Sequence, residues 1–315
     1  GFHLNAFASP WESWENIINE FKEAKRKGQE TLKTWKNTTL GESWEEKPQD
    51  HDHTKLMQRR EDYQHEIPEG VLVLTAGVDV QDDRLEVEIV GWGLGETSWG
   101  IEYKIFYGDP GQQAVWDQLD AFLQKYWYTP NGVKLSISAT CIDSGGHYTQ
   151  EVYDFCKARE YRRIFAVKGK GGSGVPFISK PSKVGIKKDT YLFTIGVNEG
   201  KDTIYGRLKI EDPEKPGYCH FPLNKEKGYD EAYFIGLTSE YKKPKRVNGL
   251  IRYEWVKRSS NVRNEPLDLR NYALAALRIL NPDLDYLHKN NLTGAVYNQT
   301  VKRKKRRRKV ISKGL

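Results

Sequence analysis

Three aspartates stand where their chemistry calls for explanation. Asp79 lies near the end of VLVLTAGVDV (71–80), a run too apolar to hold a charge without purpose. Asp143 closes the apolar segment that begins at Leu135 and is followed by Ser144-Gly145-Gly146. Asp268 falls in the first turn of a helical stretch that opens NEPLD. Three carboxylates drawn together repel one another and in part protonate. Divalent cations remove that cost, because hard ions prefer oxygen ligands. Two ions about 3.5–4 Å apart stabilise both the attacking and the leaving oxygen of a phosphodiester, so no Ser or Cys nucleophile is needed. Mg²⁺ and Mn²⁺ fit this donor set equally, and two ions are expected. Plainer readings stand beside these. Asp143 can cap a turn, and Asp268 can simply favour a helix N-terminus. Asp82 and Asp83 occupy a turn (QDDR), with Asp83 an auxiliary metal candidate. His147 follows Asp143 closely and is a candidate for phosphate contact or proton transfer.

The cations fall in segments. Lys168, Lys170, Lys180, Lys183, Lys187 and Lys188 lie among glycines with only Asp189 against them. Lys245, Arg246 and Arg252 surround a second basic stretch, 242–258, which also holds Lys242 and Arg258. Such side chains suit phosphate contact without sequence reading; solvated surface is the alternative. The net charge is +7, but the run KRKKRRRK (302–309) and Lys313 account for nine positive charges and leave residues 1–301 at −2. A body near neutrality must concentrate its cations if it binds a polyanion. The loop GKGGSGV lacks the Gly-Lys-Ser/Thr ending of a nucleotide-binding P-loop.

The elements that must position these residues follow from periodicity. Residues 1–42 read as helical, with Ser13 as a cap and Trp14, Ile17, Ile18, Phe21 and Ala24 at helical spacing. Residues 45–70 are polar and irregular, with one helical turn expected around Lys55–Glu61. Val71–Val80, Arg84–Gly93 and Ser98–Tyr107 read as an antiparallel meander. A helix over Gln112–Tyr126, a strand over Leu135–Ile142, a helix over His147–Arg159 and a strand over Arg163–Lys168 complete a βββαβαβ order. That order is the ribonuclease H arrangement: an α/β fold on a mixed sheet whose first and fourth strands are central neighbours, which sets Asp79 beside Asp143. A strand at 190–195, a helix from Asn198 to Tyr205, a hairpin turning at Asn248-Gly249 and a helix from Glu265 to Leu280 capped by Asn264 follow. Three divisions are expected: 1–70 as a helical segment and linker, 71–282 as the ribonuclease H-like domain, and 283–315 as a disordered basic tail.

No apolar run approaches a membrane span, and no charged-then-apolar leader opens the sequence. Cys141, Cys156 and Cys219 sit at no metal-ligand spacing, and a reducing cytoplasm with three buried thiols is expected.

Six segments carry a specific resemblance: GFHLNAFASPW (1–11), NTTLGESWEE (37–46), RREDY (59–63), LTAGVDVQDDRLEVEIVGWG (74–93), IDSGGH (142–147) and NEPLDLRNYALAA (264–276). In this order they resemble the nuclease half of lambda-type phage terminase large subunits, over roughly residues 1–280. The resemblance implies a metal-dependent endonuclease that cuts concatemeric viral DNA in the host cell cytoplasm. Its implied partners are double-stranded DNA, a terminase small subunit and the capsid portal protein, and none is a membrane. ATP is implied only for a motor domain, which the stretch 1–42 would close as it leads into the nuclease. Asp79, Asp143 and Asp268 match the family's metal acids, with Glu265 competing for the third place. A transposase- or resolvase-type nuclease and a non-cleaving DNA or portal adaptor are the alternatives.

Overall fold

A computed structural model describes residues 5–42, 52–172, 174–187, 189–247 and 250–292, and leaves aside the side chains of residues 29, 30, 246, 247 and 250–252. Lys188, the turn at 248–249 and the basic run at 302–309 therefore lie outside the described residues, as do the Arg246 and Arg252 side chains.

Helix α1 (Trp14–Lys27) starts where Ser13 Oγ accepts the Asn16 N–H at 3.2 Å, and basic residues fill its last turn. Both features complement the helix dipole. Gly28, at φ 120°, turns the chain into α2 (Gln29–Trp35). Asp52 caps α3 (His53–Gln58) through the Thr54 N–H. The segment after it is fastened to the body rather than strung as a linker. Arg59 donates to the Leu208 carbonyl at 2.9 Å, Arg60 to the Tyr229 carbonyl at 3.0 Å, and Glu61 meets His220 at 2.8 Å.

The meander forms as expected from β1 (Val73–Val80), β2 (Arg84–Trp92) and β3 (Ser98–Tyr107). Then come α4 (Gln113–Leu123), the two-residue strands β4 (Trp127–Tyr128) and β5 (Lys134–Leu135), β6 (Ile137–Asp143), α5 (Thr149–Ala158) and β7 (Ile164–Lys170). Strands β8 (Ser182–Val184) and β9 (Thr190–Gly196), helix α6 (Val197–Leu208), strand β10 (Cys219–His220) and helix α7 (Glu231–Leu237) lead to the hairpin β11 (Glu240–Val247) and β12 (Leu250–Lys257). Helix α8 (Glu265–Leu280) has the predicted bounds. The chain does not lose order at 283: α9 (Leu284–Lys289) is capped by Asp283 and buries Leu287 against Leu72 and Val73.

The main sheet has the order β10-β3-β2-β1-β6-β7-β9-β8. Strands β1, β6, β7 and β9 are mutually parallel, while β2, β8 and the meander make it mixed. This is the ribonuclease H-like sheet, extended at both edges. Strand β1 is buried on both faces, as a central strand must be. Its alternate residues serve two cores. Ala76 and Val78, with Ile142 of β6, pack towards α4 and α5, where Trp116, Leu119 and Phe155 lie. Ala139, Cys141 and Val167 face the opposite way, against Tyr272 and Ala273 of α8. Cys141, Cys156 and Cys219 are buried and free.

Candidate metal centre

The register of the two central strands sets the first pair of acids. Val78 lies opposite Ile142 in the parallel β1–β6 ladder, so Asp79 and Asp143 are the next residues at the same sheet end. By alternation both follow Gly77 and Cys141 onto the α8 face. Helix α8 can lie close there because residue 77 has no side chain: a Cβ on Gly77 would come within 2.0 Å of the Leu269 carbonyl oxygen. Thr75 pins the same contact by donating to the Ala273 carbonyl at 2.8 Å, and Trp92 Nε1 donates to Thr75 Oγ1 at 2.7 Å. Beside that contact, the buried Arg270 pairs at 2.9 Å with the buried Glu88, the β2 residue opposite Gly77. The helix is thereby fixed over the strand ends, and Asp268 and Tyr272, one turn apart, share a face.

The acids feel one another. Asp79 is 5% exposed. Burial, then the charges of Asp143 and Asp268, hold its carboxyl well above the usual range, although Gln81 Nε2 donates to it at 2.7 Å. Asp143 is raised to about 6, by burial first and by Asp268; the Gly145 and Ser144 N–H groups and the Lys168 charge oppose this. Asp268 is also raised, because burial and Glu240 outweigh Lys201. The Tyr272 hydroxyl hydrogen-bonds Asp143, and burial followed by the three acids pushes its pKa far up. An all-oxygen cluster that resists ionisation in this way favours a cation.

The third acid is differently employed, however. Asp268 Oδ1 lies 3.3 Å from Lys201 Nζ, and Oδ2 accepts the Asn264 amide at 2.8 Å. Asn264 occupies the N-cap position of α8, but its side chain makes no cap bond. Among the described residues no three His, Cys, Asp or Glu side chains stand ready around a common ion position.

The other candidates have partners of their own, although the Glu265 charge also bears on Asp79. The exposed Asp83 is taken by Arg84 at 2.6 Å. His147, exposed and ahead of its helix, pairs with Asp82 at 2.9 Å. Glu265 joins Arg84 at 3.1 Å and Arg263, in a cluster completed by Glu86. The expected run of lysines is split by the sheet. Lys168 and Lys170 are exposed on the last turn of β7, at the acid end, and Lys168 bears on Asp143. After them the chain doubles back along β9, pairing Ile178 with Ile195 and then Lys183 with Tyr191. Lys180 lies along that edge, while Lys183 and Lys187 sit towards the far end of the sheet. Lys242 is buried on Asp202 at 2.8 Å, and the exposed Lys245 is matched by Glu254 at 2.9 Å.

Sequence reasoning missed Lys201, Glu240 and Tyr272. The available signal was the charged run Glu199–Asp202 on a helix whose other positions pack inward, with Gly200 crossing α8 so closely that a Cβ would lie 1.8 Å from Asn271 Oδ1.

The match that decides the family covers residues 1–290, against the model described as "Terminase large subunit gpA, endonuclease domain". This chain belongs to that family. The terminase large subunit of Escherichia phage lambda is 37% identical over 283 residues, which cover 88% of this chain and 43% of that protein. The corresponding subunit of Enterobacteria phage P21 is 33% identical with the same coverage. The chain thus spans less than half the length of these relatives. Among solved structures, the nuclease domain of the large terminase subunit gp2 of bacterial virus Sf6, determined with manganese, overlaps 72% of this chain and 97% of that one. That overlap has 12% identity and a TM-score of 0.39. The transposase and resolvase alternatives give way to the family match.

Proposed function

We propose that this chain is the cutting unit of a phage DNA-packaging terminase, an endonuclease that hydrolyses concatemeric viral DNA with divalent ions held by Asp79, Asp143 and Asp268. The observation that supports the proposal is the placement of Asp79 and Asp143 at neighbouring central strand ends, beneath the helix that carries Asp268, in a terminase nuclease domain. The donor set supports the metal. It is all oxygen, and Asp79 is bonded by an amide and a backbone N–H rather than by a cation. When bound, divalent ions supply charge stabilisation at the scissile phosphate and acidify water.

The protein's own groups do the rest. The ionised forms of Asp79 and Asp143 would be the ligands, and a bound cation would offset the burial and like charge that oppose their ionisation. The Gly145 N–H and the Tyr272 hydroxyl orient the Asp143 carboxylate, while the Ser144 N–H and hydroxyl tie the residue after it to the Val167 carbonyl, both at 2.8 Å. Lys168 and Lys170 border the centre and reach DNA phosphates, which position a duplex without reading its sequence. Helix α8 closes one side of the centre and keeps it partly dry, which strengthens each charge interaction. Coupling to an ATP-driven motor, contact with a terminase small subunit and the portal, and action in the host cytoplasm belong to the same proposal. No helix among the described residues is long and apolar enough to cross a membrane.

The test is conversion of supercoiled plasmid with Mg²⁺, with Mn²⁺ and with EDTA. Nicked or linear product with either ion, and none with EDTA, is expected. A non-cleaving adaptor would bind the plasmid and leave it supercoiled in every tube.

A further inference from the structure

Asp268 shares one cation with a carboxylate that has no place in the centre. The Lys201 ammonium donates to both oxygens of Glu240, at 2.7 and 2.8 Å, while it lies 3.3 Å from Asp268 Oδ1. Lys201 and Glu240 are both buried. The Asn264 amide bridges the same two acids, at 2.9 Å to Glu240 and 2.8 Å to Asp268. Tyr205 fixes the root of β11 by donating its hydroxyl to the Glu240 carbonyl at 2.6 Å. Three elements thus contribute to one cluster: α6 the ammonium, β11 one carboxylate and α8 the other.

At hydrogen-bonding range two carboxylates share one ammonium, and the Lys257 charge also bears on Asp268. Without the Lys201 ammonium, two buried anions would face each other with no direct ion-pair partner, at high cost. Lys201 therefore supplies in advance the positive charge that a metal would bring to Asp268. An ammonium and a divalent ion beside the same carboxylate repel, so each weakens the hold of the other. Glu240 already grips Lys201 with two oxygens, so the ammonium keeps a partner when Asp268 is withdrawn from it.

We propose that Lys201 is a positioning residue that occupies Asp268 while the centre is empty and retires onto Glu240 when a divalent ion recruits that carboxylate. The proposal rests on reading Asp79, Asp143 and Asp268 as the metal centre. It accounts for the finding that these acids influence one another while, among the described residues, no three ligands stand ready around one point. It also makes the third ligand the most weakly committed member of the set, governed from the root of the basic hairpin.

The two partners of Lys201 must then affect metal binding in opposite directions. The readout is Mn²⁺ affinity of the whole chain, from the electron paramagnetic resonance signal of free Mn²⁺. Lys201→Met removes the competing charge and should tighten Mn²⁺ binding on the order of tenfold. Glu240→Gln removes the second seat, leaves the ammonium on Asp268 and should weaken binding on the order of threefold or more. A merely structural cluster would weaken binding in both variants or leave it unchanged, and either pattern overturns the proposal. If Lys201→Met does not fold, the direction of Glu240→Gln decides: tighter or unchanged binding refutes the exchange. Asp79→Asn separates the two layers of the argument. Loss of Mn²⁺ binding in that variant upholds the centre, so that a failure of the Lys201 and Glu240 variants counts against the exchange alone. Wild-type-like binding by Asp79→Asn would remove the centre and the exchange together.

Discussion

Replacing Asp143 by Asn should make the metal-free protein more stable at neutral pH while destroying its response to metal. The carboxyl moves from an ordinary value of 3.8 to about 6 in the folded state, driven by burial and by Asp268 against the Gly145 and Ser144 N–H groups. The groups that face it include Asp79 from β1, Asp268 and Tyr272 from α8, and Lys168 from β7. A carboxyl whose pKa is raised on folding binds its proton more tightly in the native state. Native stability is therefore unpenalised below about pH 4, falls as pH rises towards 6, and carries the full penalty above it. The gap of about two pH units, at about 1.4 kcal/mol each, amounts to about 3 kcal/mol. An amide mimics the protonated carboxyl and escapes that penalty. Urea denaturation in EDTA should accordingly show the Asn variant more stable by up to about 3 kcal/mol at pH 8, and equal to wild type near pH 4. With saturating Mn²⁺ at pH 8 the order should reverse, because only the wild type gains binding energy. A variant less stable than wild type at pH 8 in EDTA, or a difference that does not change with pH, would refute the electrostatic account.

Two further outcomes follow from the placement of α8 and of the lysines. Gly77→Ala would drive a methyl group into the Leu269 carbonyl, and should cost about 3 kcal/mol or more by denaturation as α8 lifts from β1. Lys168→Ala with Lys170→Ala should weaken DNA binding and flatten its salt dependence, whereas Lys183→Ala with Lys187→Ala should change neither in a filter-binding titration at two salt concentrations.

What the sequence disclosed was what local pattern encodes. Strand β1 and helix α8 were legible because apolar alternation and a 3.6-residue period are local. Asp79 stood out against its own strand. The Asp79–Asp143 juxtaposition followed from topology, since the βββαβαβ order makes β1 and β6 neighbours. The misses arise where partners are remote. Lys201 and Glu240 are 39 residues apart, and nothing in either neighbourhood marks an ion pair. The lysines of 168–187 looked like one patch because a sequence does not show that the chain reverses along β9 and carries Lys183 away from Lys168. Helix α7 escaped notice because seven residues give too little periodicity, although Asp230 caps it through the Tyr233 N–H. Helix α9 was hidden by its polar surroundings, and only Leu284 and Leu287 of its residues join the apolar cluster that docks it.

The central claim is that Asp79, Asp143 and Asp268 together form the cutting centre and that Glu265 does not. The most direct measurement is the initial rate of supercoiled plasmid cleavage in Mg²⁺ by five proteins: wild type, Asp79→Asn, Asp143→Asn, Asp268→Asn and Glu265→Gln. Each Asn variant should lose on the order of a thousandfold or more, since an amide cannot balance the ions. Glu265→Gln, whose carboxylate serves Arg84 and Arg263, should cut within a few-fold of wild type. Wild-type cleavage by Asp79→Asn or Asp143→Asn would contradict the account, and so would an inactive Glu265→Gln beside an active Asp268→Asn.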